Sequence, residues 1–228
     1  MQNSRITNRL SSNQKKFFAE LIGTFVIVVF ATGSVVLAVK YSGIFGLWFV
    51  ALAPAVAVAA MVYVFGKISM AHFNPAVTVG FLITKHMPKN LFPVYLAAQI
   101  IGALLGSIFV KYVIGTEANL GANAPDYHFQ IPLIVGVEIL ATALLMAVIM
   151  VVVHTKGLRG FSGVVIGGIV GLDILFLAFI SGASMNPARA LAPAIVSGYL
   201  NDLWLYWTAP FIGTIIVSLI YKIKFVIK

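Results

Sequence analysis

The sequence predicts an all-α integral membrane protein: six transmembrane helices plus two re-entrant half-helices, arranged as an inverted 3+3 repeat. Three observations carry the prediction. Of the 228 residues, 61% are hydrophobic and 9% charged, which is more apolar surface than a water-soluble domain of this size can bury. The apolar residues fall in six runs long enough to cross a bilayer. The tripeptide Asn-Pro-Ala occurs twice, as Asn74-Pro75-Ala76 and as Asn186-Pro187-Ala188.

Crossing a hydrocarbon core of about 30 Å takes about twenty apolar residues in a helix. Runs of that length lie at approximately 17–39, 47–66, 91–113, 131–153, 161–180 and 203–222. Helix is the expected state, because backbone groups in lipid must be satisfied within their own segment and the alternation of barrel strands is absent. The first run follows Arg5, Arg9, Lys15 and Lys16 and so imitates a signal peptide, but its length is that of a retained span. The connections alternate in charge. Twelve of the fifteen Lys and Arg residues fall on one side of the six spans, and only Lys40, Lys111 and Arg189 fall on the other. The positive-inside rule then makes the chain a multi-pass protein of the cell membrane with both termini cytoplasmic. The same scatter of positive charge, single or paired at the ends of apolar runs, argues against a nucleic-acid partner for a chain of formal charge +9. The lipid bilayer is the partner that composition demands.

The two halves of the chain match each other. Glu20-Leu-Ile-Gly-Thr24 reappears as Glu138-Ile-Leu-Ala-Thr142, residues 68–76 reappear as 180–188, and residues 95–102 as 206–213. This marks a duplication within a single domain, 1–228, with repeat one at about 17–113, repeat two at about 131–222, and an extracellular loop at about 114–130 between them. Each repeat holds an odd number of spans. The second therefore enters the membrane upside down, and the two tripeptides approach from opposite faces.

Asn is a good N-cap, and Pro at the first helical position lacks only an N–H that would have had no partner. Each tripeptide thus announces a short helix, Ala76–Thr84 in the first half and Ala188–Ser197 in the second, with Gly198 as a terminator. Each is long enough for about half the bilayer. Two such helices meeting N-terminus to N-terminus at the midplane bring together two positive dipole ends and two side-chain amides. Amide donors there hold the oxygen of a neutral molecule, while the dipoles repel cations and hydronium.

Two Asn-Pro-Ala segments at equivalent repeat positions, the second extended as Ser184-Met-Asn-Pro-Ala-Arg189, resemble the aquaporin family, also called major intrinsic proteins, and the likeness covers nearly the whole chain. The resemblance implies a passive channel for water that excludes protons and ions and also passes small neutral solutes such as glycerol. It implies a homotetramer with one pore per chain, and an extracellular selectivity filter of Arg189, Ala183, Ile174 and Pro54. Arg189 is a donor and a cation barrier. Ile174 and Ala183 make the filter wider and more apolar than the strict water-channel pattern, and Pro54 stands where the family usually has an aromatic residue. As an alternative, Pro54 kinks the second span and lets Ala53 or Ala55 line the pore. Other markers point back to water: Ala190 replaces the Asp of glycerol facilitators, and Tyr206-Trp207 is an aromatic pair where those proteins have smaller residues.

Glu20 and Glu138 are repeat mates sunk in apolar spans, so each needs a partner; backbone N–H groups of the re-entrant loops are the expected ones. His72 is a pore or packing residue. Asp173, beside Ile174, is either a vestibule acid or a satisfied buried one. Gly102, Gly106, Gly167, Gly168 and Gly171 are expected at close helix contacts. The competing readings are a wide-filter facilitator of glycerol or other uncharged solutes and, with less support, an ion- or proton-coupled transporter using the buried acids. No set of residues at workable spacing supports an enzyme, a metal site or a cofactor, and the absence of cysteine excludes thiolate chemistry.

Overall fold

The computed structural model describes residues 10–42 and 44–226; the charges at Arg5, Arg9 and Lys228 lie outside the described residues. The helices are α1 (Ser12–Lys40), α2 (Leu47–Ser69), α3 (Pro75–Ile83), α4 (Phe92–Phe109), α5 (Glu117–Gly121), α6 (Ile131–His154), α7 (Ser162–Ser181), α8 (Pro187–Ser197), α9 (Leu203–Tyr206) and α10 (Ala209–Tyr221). Short 3₁₀ and π turns extend several of them, and no strand occurs among the described residues. Six segments are long and apolar enough to cross a membrane: Ser12–Lys40, Leu47–Ser69, Lys89–Ile114, Ile131–His154, Gly157–Ser181 and Leu203–Phe225.

Local chemistry accounts for the boundaries. Ser11 caps α1 in a reciprocal pair, its hydroxyl accepting from the Gln14 N–H while the Gln14 amide oxygen accepts from the Ser11 N–H. Proline occupies one of the first two positions of α3, α4, α6, α8 and α10, where its missing N–H costs nothing. Gly198, in the left-handed conformation at φ 83°, stops α8. The sixth span differs from the expected unbroken helix. It is split between α9 and α10 because Pro210 cannot donate to the carbonyl of Tyr206. The connection at 114–130 is not plain loop either, since α5 is a single turn with Ala118, Asn119 and Leu120 at left-handed φ values of 49°, 50° and 60°.

The packing of one half has a counterpart in the other. α1 lies against α2 and α4, and α6 lies against α7 and α10. The halves are joined by α2 on α7, by α3 on α10 and by α8 on α4, so each half-helix sits against the third span of the opposite half. Gly102, Gly167 and Gly213 allow equally close approaches: a β-carbon at any of them would collide with a backbone carbonyl, that of Leu21, Ala55 or Ile139. Gly168 corrects the expectation for the glycines, because a β-carbon there would meet nothing. Outside, Trp48, Val56, Phe176 and Ile220 are exposed, which suits a surface solvated by hydrocarbon.

Candidate functional site

The residues before each half-helix take up backbone conformations that side chains disfavour. Met70, Ala71 and Phe73 have φ of 65°, 54° and 50° before α3, and Ala183 and Met185 have φ of 40° and 55° before α8. Such strain persists only when the surroundings hold it. Here a buried carboxylate holds each loop. Glu20 accepts from the Ser69 hydroxyl at 2.6 Å, the N–H groups of His72 at 2.9 Å and Phe73 at 2.7 Å, and the Gln99 amide at 2.8 Å. Glu138 accepts from the Ser181 hydroxyl at 2.9 Å and the N–H groups of Ser184 at 3.3 Å and Met185 at 2.7 Å. Tyr95 and Tyr206 complete the likeness by donating to the carbonyls of Ser69 and Ser181 at 2.8 and 2.7 Å.

With the loops so held, the half-helices point at each other. The Asn74 Oδ1 caps α3, accepting from the N–H groups of Ala76 at 2.8 Å and Val77 at 3.4 Å, and the Asn186 Oδ1 caps α8 through Ala188 at 3.1 Å and Arg189 at 3.3 Å. Each amide nitrogen then crosses to the other half: Asn74 Nδ2 donates to the Met185 carbonyl at 2.8 Å, and Asn186 Nδ2 to the Phe73 carbonyl at 2.9 Å. Each NH₂ has a second hydrogen, which these bonds leave over. Pro75, Ala76, Pro187 and Ala188 are buried and form the first turns behind the asparagines.

A cavity of about 690 Å³ runs past this junction, lined by Lys67 and Arg159 near the start of α7 and by Asn123 and Arg189 beyond the junction. Asn74, Asn186, His72, Pro54, Ile174 and Ala183 all line it. Pro54 lies about two turns from the start of α2 and Ile174 about two turns from the end of α7. The helices run antiparallel, with Gly167 on Ala55 and Gly171 on Ala51 and Ala55, so both residues belong to the same half of the cavity and Ile174 is level with the turn that begins at Val50. Pro54 itself faces the cavity, whereas Ala53 and Ala55 are not in its wall; the Ala55 carbonyl packs toward Gly167 of α7 instead. Asp173 is buried outside the lining, as are Glu20 and Glu138. It is separated from Ile174 by the roughly 100° between neighbours on a helix.

Sequence reasoning missed Asn123. Its Oδ1 accepts from the Arg189 Nη1 and its Nδ2 donates to the Gly182 carbonyl at 2.8 Å, so this loop residue holds the guanidinium in the cavity wall. It has no mate in the other half, and nothing local marks it. The Tyr95/Tyr206 and Ser69/Ser181 pairs did carry a signal, since they recur at matching repeat positions. The Trp207 indole donates to the Pro187 carbonyl at 3.1 Å, pinning the start of α8. Nearer the surface, Asp202 accepts from Tyr127 and Tyr199, tying residues 114–130 to the connection before α9; its carboxylate pushes the Tyr127 phenol up to about 12.

The family model "Major intrinsic protein" matches residues 7–221. The chain belongs to the major intrinsic protein family. It is 36% identical over 214 residues to the aquaporin NIP3-1 of Arabidopsis thaliana, covering 88% of this chain and 64% of that longer one. It is 36% identical over 225 residues to the probable aquaporin AqpM of Archaeoglobus fulgidus, covering 89% of this chain and 92% of the relative. In fold it matches the aquaglyceroporin of Plasmodium falciparum with a TM-score of 0.78 over 94% of this chain and 97% of the other, at 24% identity. Major intrinsic proteins are membrane channels and not enzymes, and the all-helical architecture here is theirs.

Proposed function

We propose that this chain is a passive membrane channel for water that rejects protons and ions, built as one domain of two inverted repeats, with small neutral solutes as further cargo. The observation that carries the reading is the junction of the half-helices: two asparagine-capped N-termini meet inside a long cavity, and each amide is tied to the opposite loop. Donors at a narrow point donate to the oxygen of a neutral molecule, and the positive dipole ends there oppose a cation. A water held there turns its hydrogens toward its neighbours, which disfavours proton relay. Arg189 adds a fixed positive charge in the wall, and the resemblance to aquaporins supports it, with Ala183, Ile174 and Pro54, as the filter.

A second reading, a facilitator of glycerol or similar solutes, is favoured by that filter's composition, because Ile174, Ala183 and Pro54 are apolar and none is aromatic. The positive-inside rule supports a cytoplasmic face carrying Lys15, Lys16, Lys67 and Lys89, and the family likeness supports a homotetramer with one pore per chain in the cell membrane. Stopped-flow light scattering on proteoliposomes shocked with sucrose, glycerol and urea tests the cargo. Shrinkage no faster than in empty liposomes overturns the channel, and a glycerol flux that rivals water selects the second reading.

A further inference from the structure

α2 is a continuous α-helix with Pro54 inside it. A helical carbonyl accepts from the N–H four residues on, and Pro54 has none, so the carbonyl of Val50 has no partner within its own helix. In a membrane helix such a group must be met by a neighbouring helix, a hydroxyl or water. No turn, loop or capping N–H reaches it among the described residues.

Where that oxygen opens follows from the helix. Val50, Pro54, Val58 and Val62 line the cavity at a spacing of four residues, and helical hydrogen bonds run along that same row. The α7-facing side of α2 is a different one, where Ala51 and Ala55 pack on Gly167 and Gly171. The bare carbonyl therefore belongs to the cavity wall, at the depth of Ile174. The apolar side chains facing the cavity there from α1 and α7, Val35 and Ile174, carry no donor that could reach it.

The geometry points to the Val50 carbonyl as a hydrogen-bond acceptor of the filter, one that takes the hydroxyl hydrogen of a small polyol while Arg189 donates to an oxygen of the same molecule. This rests on the channel reading above. A hydroxylated solute stripped of water needs acceptors as well as donors, and the side chains of Ile174 and Ala183 supply neither. Pro54 is then a specificity-determining residue through the atom it leaves bare rather than through its ring, and the favoured cargo is a neutral molecule with several hydroxyl groups.

The test uses the whole chain in proteoliposomes and reads the ratio of glycerol to water permeability. Pro54→Ala restores the N–H and closes the bond inside the helix while enlarging the filter; Pro54→Val restores it while keeping bulk. The ratio is expected to fall about three- to tenfold in both, the worth of one hydrogen bond. If the ring acts by size alone, Pro54→Ala leaves the ratio unchanged or raises it, and the proposal is overturned. A wild-type chain that passes water but no glycerol also overturns it. A wild-type chain no faster than empty liposomes defeats the channel reading itself, a result distinguishable from an unchanged ratio.

Discussion

Asn123 is where a single side chain decides the shape of the pore wall. Its amide accepts from Arg189 and donates to the Gly182 carbonyl, so the guanidinium and the loop before α8 are fixed by the same group. Replacing it with alanine leaves Arg189 without this acceptor and free to take other rotamers. We expect Asn123→Ala to raise solute leak several-fold, and Arg189→Val, which removes the charge altogether, to raise both solute and proton leak further. Osmotic shrinkage and a pH-sensitive dye in the same liposomes read the two; wild-type behaviour in Asn123→Ala would show that Arg189 is held by something else. Asn123 was illegible for a physical reason: its role arises from the path of residues 114–130, and that path is set by a left-handed run of Ala118, Asn119, Leu120 and Gly121 in which only the last residue is a glycine.

At the scale of elements, the half-helices were legible because proline and asparagine signal a helix start through their own chemistry, and the duplication then dictated opposite entry. The strain in the loops before them was not, since residues such as Phe73 and Met185 take left-handed conformations against their own preference. Glu20 and Glu138 are what makes those loops stable. Glu20→Ala strips the acceptors from two backbone N–H groups, a hydroxyl and an amide, and each buried donor left unpaired costs about 1–3 kcal/mol. The expected loss exceeds about 3 kcal/mol and shows as a large fall in Tm in detergent, with Glu20→Gln milder because it keeps one acceptor; equal Tm values would refute the tie.

A second tie joins the far end of the first half-helix to the second half. His86, just after α3, meets His154 at the end of α6 with Nε2 to Nε2 at 2.7 Å, and Tyr221 of α10 packs 4.6 Å from the His154 ring and 6.2 Å from that of His86. Thr84 lies 2.8 Å from the His86 Nδ1, and the Met150 carbonyl 2.7 Å from the His154 Nδ1. A neutral pair can share one hydrogen across that gap, but two protonated rings cannot face each other, and the six acids of the chain all sit elsewhere. Burial first, and His154 second, lower His86 below the ordinary imidazole value of 6.5. A group whose folded pKa is lowered stabilises the fold above its unfolded value and loses that contribution as pH falls toward the folded one. The contact is therefore intact at neutral pH and weakens below about 6.5. Tm in detergent should drop on acidification in the wild type and drop less in His86→Gln; an identical pH dependence in both would discard this account.

For the whole molecule, the bilayer is the dominant constraint, and this is why fold class was the most legible feature. Without water, backbone groups close within helices, so long apolar runs have one outcome. Its orientation in that bilayer rests on charge placement. Lys15, Lys16, Lys67, Lys85 and Lys89 cluster with the start of α1, the end of α2 and the start of α4, while Glu117, Asp126 and Asp202 cluster at the opposite ends. Translocating positive charge is disfavoured, so the lysine-bearing ends should remain in the cytoplasm. The chain has no cysteine, which makes every introduced one a unique label. His128 is 95% exposed in its side chain on the acidic face, and Lys89 is exposed on the basic one. We expect His128→Cys to react with a membrane-impermeant maleimide on intact cells and Lys89→Cys only after permeabilisation. The reverse pattern would turn the molecule over, placing Arg189 and Pro54 on the cytoplasmic side of the half-helix junction. Labelling of both sites in intact cells would mean that the chain inserts in two orientations, and that its bias of positive charge is too weak to choose between them.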